Sequence, residues 1–115
     1  MTAKEIVKLV VDALEEKKAN DIRVLDISHI SSMGDYFIIA DGSNRNQVQA
    51  MCDCVEEKMQ LAGLDLKNRE GYANGGWILL DYYDIIVHIF SEEERSFYDL
   101  EHIWRDGNIV SMGDL

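Results

Sequence analysis

The sequence predicts a single α/β domain (α+β-like), a mixed sheet of about five strands packed with two to three helices in the order α-β-β-α-β-β-β-α. Three observations carry this expectation. Apolar residues recur at helical spacing from Ile6 to Leu14 and again from Val48 to Met59. Short apolar runs at Val24–Ile27 and Tyr36–Ala40 read as strands. From Trp77 to Phe90 the side chains alternate as two strands joined by a tight turn. A length of 115 residues suits one domain, and a hydrophobic fraction of 47% is high enough to build a core rather than a disordered chain. Residues 1–106 are expected to form the domain and residues 107–115 a tail with few anchors.

Each element has its own local signals. Thr2 followed three residues later by Glu5 has capping-box spacing, and Ile6, Leu9, Val10, Ala13 and Leu14 form the buried stripe of the first helix. Lys17 and Lys18 are expected in its last turn, where they suit the helix dipole. Ser43 or Asn44 can cap the second helix, whose stripe is Val48, Met51, Cys52, Val55 and Met59, and Gly63 is placed to end it. Leu64–Arg69 reads as a weak strand, and Gly71, Gly75 and Gly76 mark a flexible approach to the hairpin. Ser91 and Glu94 repeat the capping spacing before a third helix striped by Phe97, Leu100 and Trp104.

A two-residue turn at Tyr82-Tyr83 pairs Asp81 with Asp84, Leu79 with Ile86 and Trp77 with His88. One face of the hairpin is then Ile78, Leu80, Ile85, Val87 and Ile89, all aliphatic and suited to a core. The other carries Trp77, Leu79, Asp81, Asp84, Ile86, His88 and Phe90. Aromatics mixed with acids suit a partner surface better than a core.

Charge and composition narrow the function. With 22 acidic residues against 11 Lys and Arg, the formal net charge is −11. Such a chain is repelled by phosphate backbones and anionic membranes, so direct nucleic-acid binding is a poor expectation. The acidic balance serves either solubility alone or attraction to a basic protein partner. No apolar run approaches the ~20 residues of a membrane span, and no secretory or transit pattern opens the chain, so a cytoplasmic location is expected. Cys52 and Cys54 diverge on a helix, which is poor geometry for a disulfide, and no second Cys or His pair completes a zinc site.

The chemistry-bearing residues form no assembled catalytic pattern. His29, His88 and His102 lack the spacing of a metal triad, and His88 reads either as a structural strand residue or as a ligand. Asp81 and Asp84 are either paired carboxylates or turn residues facing water. Gly42-Ser43, opening a helix after a strand, resembles the start of a nucleotidyltransferase active site, where a helix N-terminus receives phosphate. That chemistry needs closely spaced carboxylates for Mg²⁺ on a following strand, and here the corresponding segment reads Asp65-Leu66-Lys67, without a D-x-D. A turn with an N-cap is the alternative.

Several segments together resemble one family. They are Val24-Leu25-Asp26-Ile27, Ser31-Ser32, Asp35-Tyr36-Phe37-Ile38-Ile39, Gly42-Ser43-Asn44-Arg45-Asn46-Gln47-Val48 with Ala50, and Glu70-Gly71. The strongest are Trp77-Ile78-Leu79-Leu80-Asp81-Tyr82 and Asp84-Ile85-Ile86-Val87-His88-Ile89-Phe90, followed by Arg95, Phe97-Tyr98, Leu100-Glu101 and Trp104. From about Ile6 to Asp106 the chain is similar to the ribosomal silencing factor family, also called RsfS or Iojap. The resemblance implies a nucleotidyltransferase-like fold without catalytic residues, no cofactor and no metal. It implies binding to ribosomal protein fourteen of the large subunit, obstruction of small-subunit joining and repression of translation when nutrients are scarce. Homodimers are also associated with the family. Two other functions stand beside this: a nucleotidyltransferase-like enzyme with a diverged metal site, or an acidic adaptor for another basic protein. The family usually has glycine where this chain has Tyr83, a residue less suited to positive φ in a tight turn. The expected contact residues are Trp77, Leu79, Asp81, Asp84, His88 and Phe90 with Tyr98, Glu101 and Trp104; Trp104 suits core and interface equally.

Overall fold

Helix α1 spans Ala3–Glu16 and opens on a complete capping box. The Thr2 hydroxyl accepts from the Glu5 N–H at 3.2 Å, and the Thr2 N–H donates to the Glu5 carboxylate at 3.0 Å. Its buried face is Val7, Val10, Val11, Ala13 and Leu14, with Ile6 and Leu9 partly buried at its margin. The helix stops at Glu16, so Lys17 and Lys18 lie past it rather than in its last turn; Lys17 is the C-cap and Lys18 takes a left-handed φ of 59°. These elements come from a computed structural model, which describes residues 2–28, 35–98 and 108–109.

The strands are β1 (Asn20–Asp26), β2 (Tyr36–Gly42), β3 (Asn68–Glu70), β4 (Trp77–Asp81), β5 (Ile85–Ser91) and β6 (Asn108–Ile109). They form one mixed sheet in the order β3-β4-β5-β2-β1-β6, with β2 and β5 parallel and every other pair antiparallel. The central position of β2 and β5 explains why both read as largely apolar runs, since each has neighbours on both edges and buried side chains on both faces. β3 is shorter than the expected strand over Leu64–Arg69: residues 64–67 stay outside it, and the Lys67 N–H donates to the Asp81 carbonyl. β6 falls within the segment expected to be a tail and pairs with Leu25 and Asp26.

Helix α2 spans Arg45–Leu61. Asn44 is its N-cap, accepting the Gln47 N–H at 2.9 Å, and the stripe Val48, Met51, Cys52, Val55 and Met59 is buried along with Cys54. Gly63, at φ 79°, follows the C-cap Ala62. α1 and α2 cover one face of the sheet, where they meet Val24, Ile38, Ala40, Ile78, Leu80, Ile85, Val87 and Ile89. On the opposite face Leu25, Ile27, Phe37, Ile39, Ile86 and Phe90 form a second, smaller cluster edged by Trp77 and Leu79. Helix α3 spans Glu92–Tyr98, its Glu94 N–H capped by the Ser91 hydroxyl.

The hairpin departs from the expected register. Trp77 pairs with Phe90, Leu79 with His88 and Asp81 with Ile86, and the Tyr82 N–H donates to the Ile85 carbonyl. The two turn residues are therefore Tyr83 and Asp84, not Tyr82 and Tyr83. The cause is Tyr82, which is buried in the main cluster as the next inward residue after Ile78 and Leu80. Burying it extends the ladder by one pair and moves the turn outward. The slip is of two residues, so every side chain keeps the face the alternation assigned to it.

Candidate functional site

Ligands of open α/β sheets gather at the carboxyl ends of parallel strands, and here that position is the end of β2 and β5, where Gly42 pairs with Ser91. Side chains of the chain itself hydrogen-bond around it. The Ser43 N–H donates to the Gln47 side-chain oxygen at 2.6 Å, while the Gln47 amide donates to the Lys17 and Lys18 carbonyls and ties α2 to the end of α1. One oxygen of Glu92 accepts from both Asn20 at 3.1 Å and the Ser43 hydroxyl at 3.2 Å. A carboxylate thus lies at the entrance of α2, and an anionic ligand there would meet like charge. Beside it, Arg95 donates to Asp41 at 3.0 Å and to the Asp21 carbonyl at 2.6 Å, which pins α3 to the sheet.

The carboxylates that the sequence offered for a metal, Asp65 and Asp81, do not come together on a strand after α2. Asp65 and Lys67 lie outside any strand, and the Asp81 carboxylate accepts the Tyr83 N–H at 2.8 Å, as a turn residue does. Cys52, Asp53 and Glu56 do bring ligand atoms within 4.8 Å of one another. Each is engaged otherwise: Arg69 grips both oxygens of Glu56 at 3.0 and 3.2 Å, and Asp53 accepts from the Tyr72 hydroxyl. Burial pushes the Cys52 thiol up to about 12, so it stays protonated and a poor ligand at neutral pH.

The second sheet face holds the expected contact residues of strands β4 and β5. Trp77, Leu79 and Asp81 follow one another on the same side of β4, each partly exposed, and Asp84 is exposed in the turn. The Trp77 indole N–H donates to Nδ1 of His88 at 3.1 Å, and the indole stacks on Phe90 with centroids 5.0 Å apart. The His88 ring meets Phe37 edge-on at 4.6 Å. His88 is 4% exposed and Phe90 1%. Both are buried in this structure, whereas the expectation was of an open face along the whole hairpin. That expectation treated β5 as one half of a free hairpin, whereas β2 on its other edge makes it a central strand. The unbroken run Ile85–Phe90 was the available signal. Burial lowers the His88 pKa to about 4, so the imidazole is neutral at neutral pH. Because Nδ1 accepts, the proton sits on Nε2, which has no hydrogen-bond partner among the described residues.

Tyr98 belongs to α3 by its backbone, but its side chain, like that of Phe97, is outside the described residues, as are Leu100, Glu101 and Trp104 and the histidines His29 and His102. Sequence reasoning missed the ties across the strand ends, above all those of Asp41, Gln47 and Glu92. Asp41 was recognisable as an acid ending the apolar run Phe37–Ala40, but its partner is more than fifty residues away in Arg95.

Fold and site define a mixed-sheet α/β protein whose parallel strand ends are crossed by internal hydrogen bonds and whose far face carries a row of Trp77, Leu79 and Asp81. The comparisons name the family. Residues 1–115 match the family model described as ribosomal silencing factor during starvation. The ribosomal silencing factor RsfS of Bacillus subtilis is 37% identical over 112 residues, covering 97% of this chain and 95% of the relative. That of Halalkalibacterium halodurans is 36% identical over 112 residues, covering 97% and 96%. A crystal structure of a Chromobacterium violaceum protein superposes with a TM-score of 0.90 at 38% identity, covering 96% of this chain and 92% of that one. The chain belongs to the ribosomal silencing factor family, whose role is ribosome-associated and translation-repressing.

Proposed function

We propose that this chain binds the large ribosomal subunit through its ribosomal protein fourteen, by the Trp77–Leu79–Asp81 face, and so keeps the small subunit from joining. The observation that carries the reading is the partly exposed Trp77, fixed on a rigid strand in line with Asp81. Tryptophan anchors protein interfaces, and a neighbouring carboxylate favours a basic partner surface. A net charge of −11 supports a protein partner over ribosomal RNA. Asp84 in the turn extends the acidic end of the row, and Tyr98, Glu101 and Trp104 are proposed as further contacts from the third-helix region.

An obstructing role needs no catalysis. The test is co-sedimentation with purified large and small subunits, followed by subunit joining in the presence of the protein. Pelleting with large subunits alone, together with fewer joined ribosomes, is the expected result. Equal pelleting with both subunits, or joining at the control level, would overturn it. Among the described residues no helix is long and apolar enough to cross a membrane.

A further inference from the structure

We infer that His88 is a positioning residue for Trp77: its Nδ1 fixes the orientation of the indole before the partner arrives. The inference rests on the Trp77-centred contact proposed above and adds how that contact is prepared. His88 lies opposite Leu79, not opposite Trp77, so the bond from the indole N–H runs diagonally across the hairpin at 3.1 Å. Stacking on Phe90 sets the plane of the indole, and the His88 acceptor adds a directional bond that sets where its N–H points. The acceptor is itself held, because Phe37 meets the imidazole edge-on at 4.6 Å and the ring is almost entirely buried.

Packing alone does not explain a histidine here. Its Nε2–H is buried without a partner among the described residues. An unpaired buried donor is unfavourable by at least as much as a neutral hydrogen bond returns, so an apolar ring would fill the site as well or better. What histidine supplies that phenylalanine or leucine cannot is the acceptor facing Trp77. Burial keeps the imidazole neutral, so the acceptor persists at neutral pH. An anchor already fixed loses less rotamer freedom on binding, and affinity gains accordingly.

The experiment compares His88→Phe, His88→Asn and Trp77→Ala in the full chain. His88→Phe keeps a ring against Phe37 and Phe90 but has no acceptor, whereas the Asn oxygen reaches about where Nδ1 lies. Three readings are taken: the Trp77 indole N–H resonance, assigned through Trp77→Phe; affinity for purified large subunits; and the urea midpoint. His88→Phe should stay folded, shift the indole resonance towards that of an unbonded indole, and weaken binding roughly two- to tenfold. His88→Asn should return both the resonance and the affinity towards wild type, which a merely structural role would not do. If His88→Phe does not fold cooperatively, His88→Leu serves in the same comparison. Wild-type binding by His88→Phe alongside lost binding in Trp77→Ala would overturn the positioning role alone. Wild-type binding by Trp77→Ala would overturn the Trp77-centred contact and the positioning role with it.

Discussion

At the scale of single residues, the two faces of β4 separate binding from stability. Leu80 is fully buried between the sheet and the helices, and Trp77 only partly so. Leu80→Ala should open a cavity and cost about 2–5 kcal/mol of stability, with binding affected only through unfolding. Trp77→Ala should cost about 2 kcal/mol of binding, roughly 30-fold in affinity, and less in folding. Paired urea midpoints and affinities for both variants decide it; a Trp77→Ala variant that unfolds while its folded fraction binds normally would place Trp77 in the core. His88 makes a second prediction. Its pKa is about 4 in the folded chain against 6.5 for an unperturbed histidine, because burial disfavours the charged ring. Between those values the unfolded chain holds a proton that the folded chain lacks, so falling pH favours unfolding. The contribution is complete above about pH 6.5 and is lost as pH falls towards 4, about 3 kcal/mol in all. Urea midpoints measured across that range should fall less steeply for His88→Phe than for the wild type. Parallel profiles would show that His88 titrates normally in the fold.

At the scale of elements, the hairpin turn is where sequence and structure part. Tyr83 takes φ 71° as the first of two turn residues, and it is 57% exposed. Left-handed backbone at a bulky residue costs on the order of 1 kcal/mol, and glycine removes that cost. The opposing loss is small: Lys67 lies 5.6 Å over the Tyr83 ring, an exposed cation–π contact worth about 0.5 kcal/mol. Tyr83→Gly should therefore raise the urea midpoint slightly, and an unchanged or lower midpoint would mean that the strain is relieved elsewhere. The capping sites at Thr2 and Ser91 and the α2 stripe were legible in the sequence, because each is set by neighbours within a few residues, whereas Tyr83 stood out as unusual only through the family resemblance. The hairpin register was not. It depends on whether Tyr82 is buried, and only the layer of α1 and α2 above it decides that. Period-two alternation protected the face assignment, so Trp77, Leu79 and Asp81 were placed correctly on the outer side while their partners were two residues off. The third helix region is the remaining element: Glu101 and Trp104 lie outside the described residues, so their part in a contact stands as proposed.

At the scale of the whole molecule, topology was the part beyond local signals. The parallel pairing of β2 and β5 joins Tyr36 to Ile85 and Gly42 to Ser91 across about fifty residues, and nothing in either run names the other. The same pairing hides His88 and Phe90 and sets Glu92 over the start of α2. Charge, by contrast, is read directly from composition and acts at long range. Eleven net negative charges on a domain of this size create a field that steers a basic partner before contact. Steering belongs to the encounter, so it should appear in the association rate more than in dissociation. Raising salt from ~0.05 to ~0.5 M takes the Debye length from more than ~10 Å to well below it, so the field no longer reaches past the first solvent layers. Stopped-flow association with the isolated ribosomal protein should then slow by at least about tenfold, while dissociation changes less. An association rate indifferent to salt would show that the acidic balance serves solubility and that docking is driven by the Trp77 and Leu79 contacts alone.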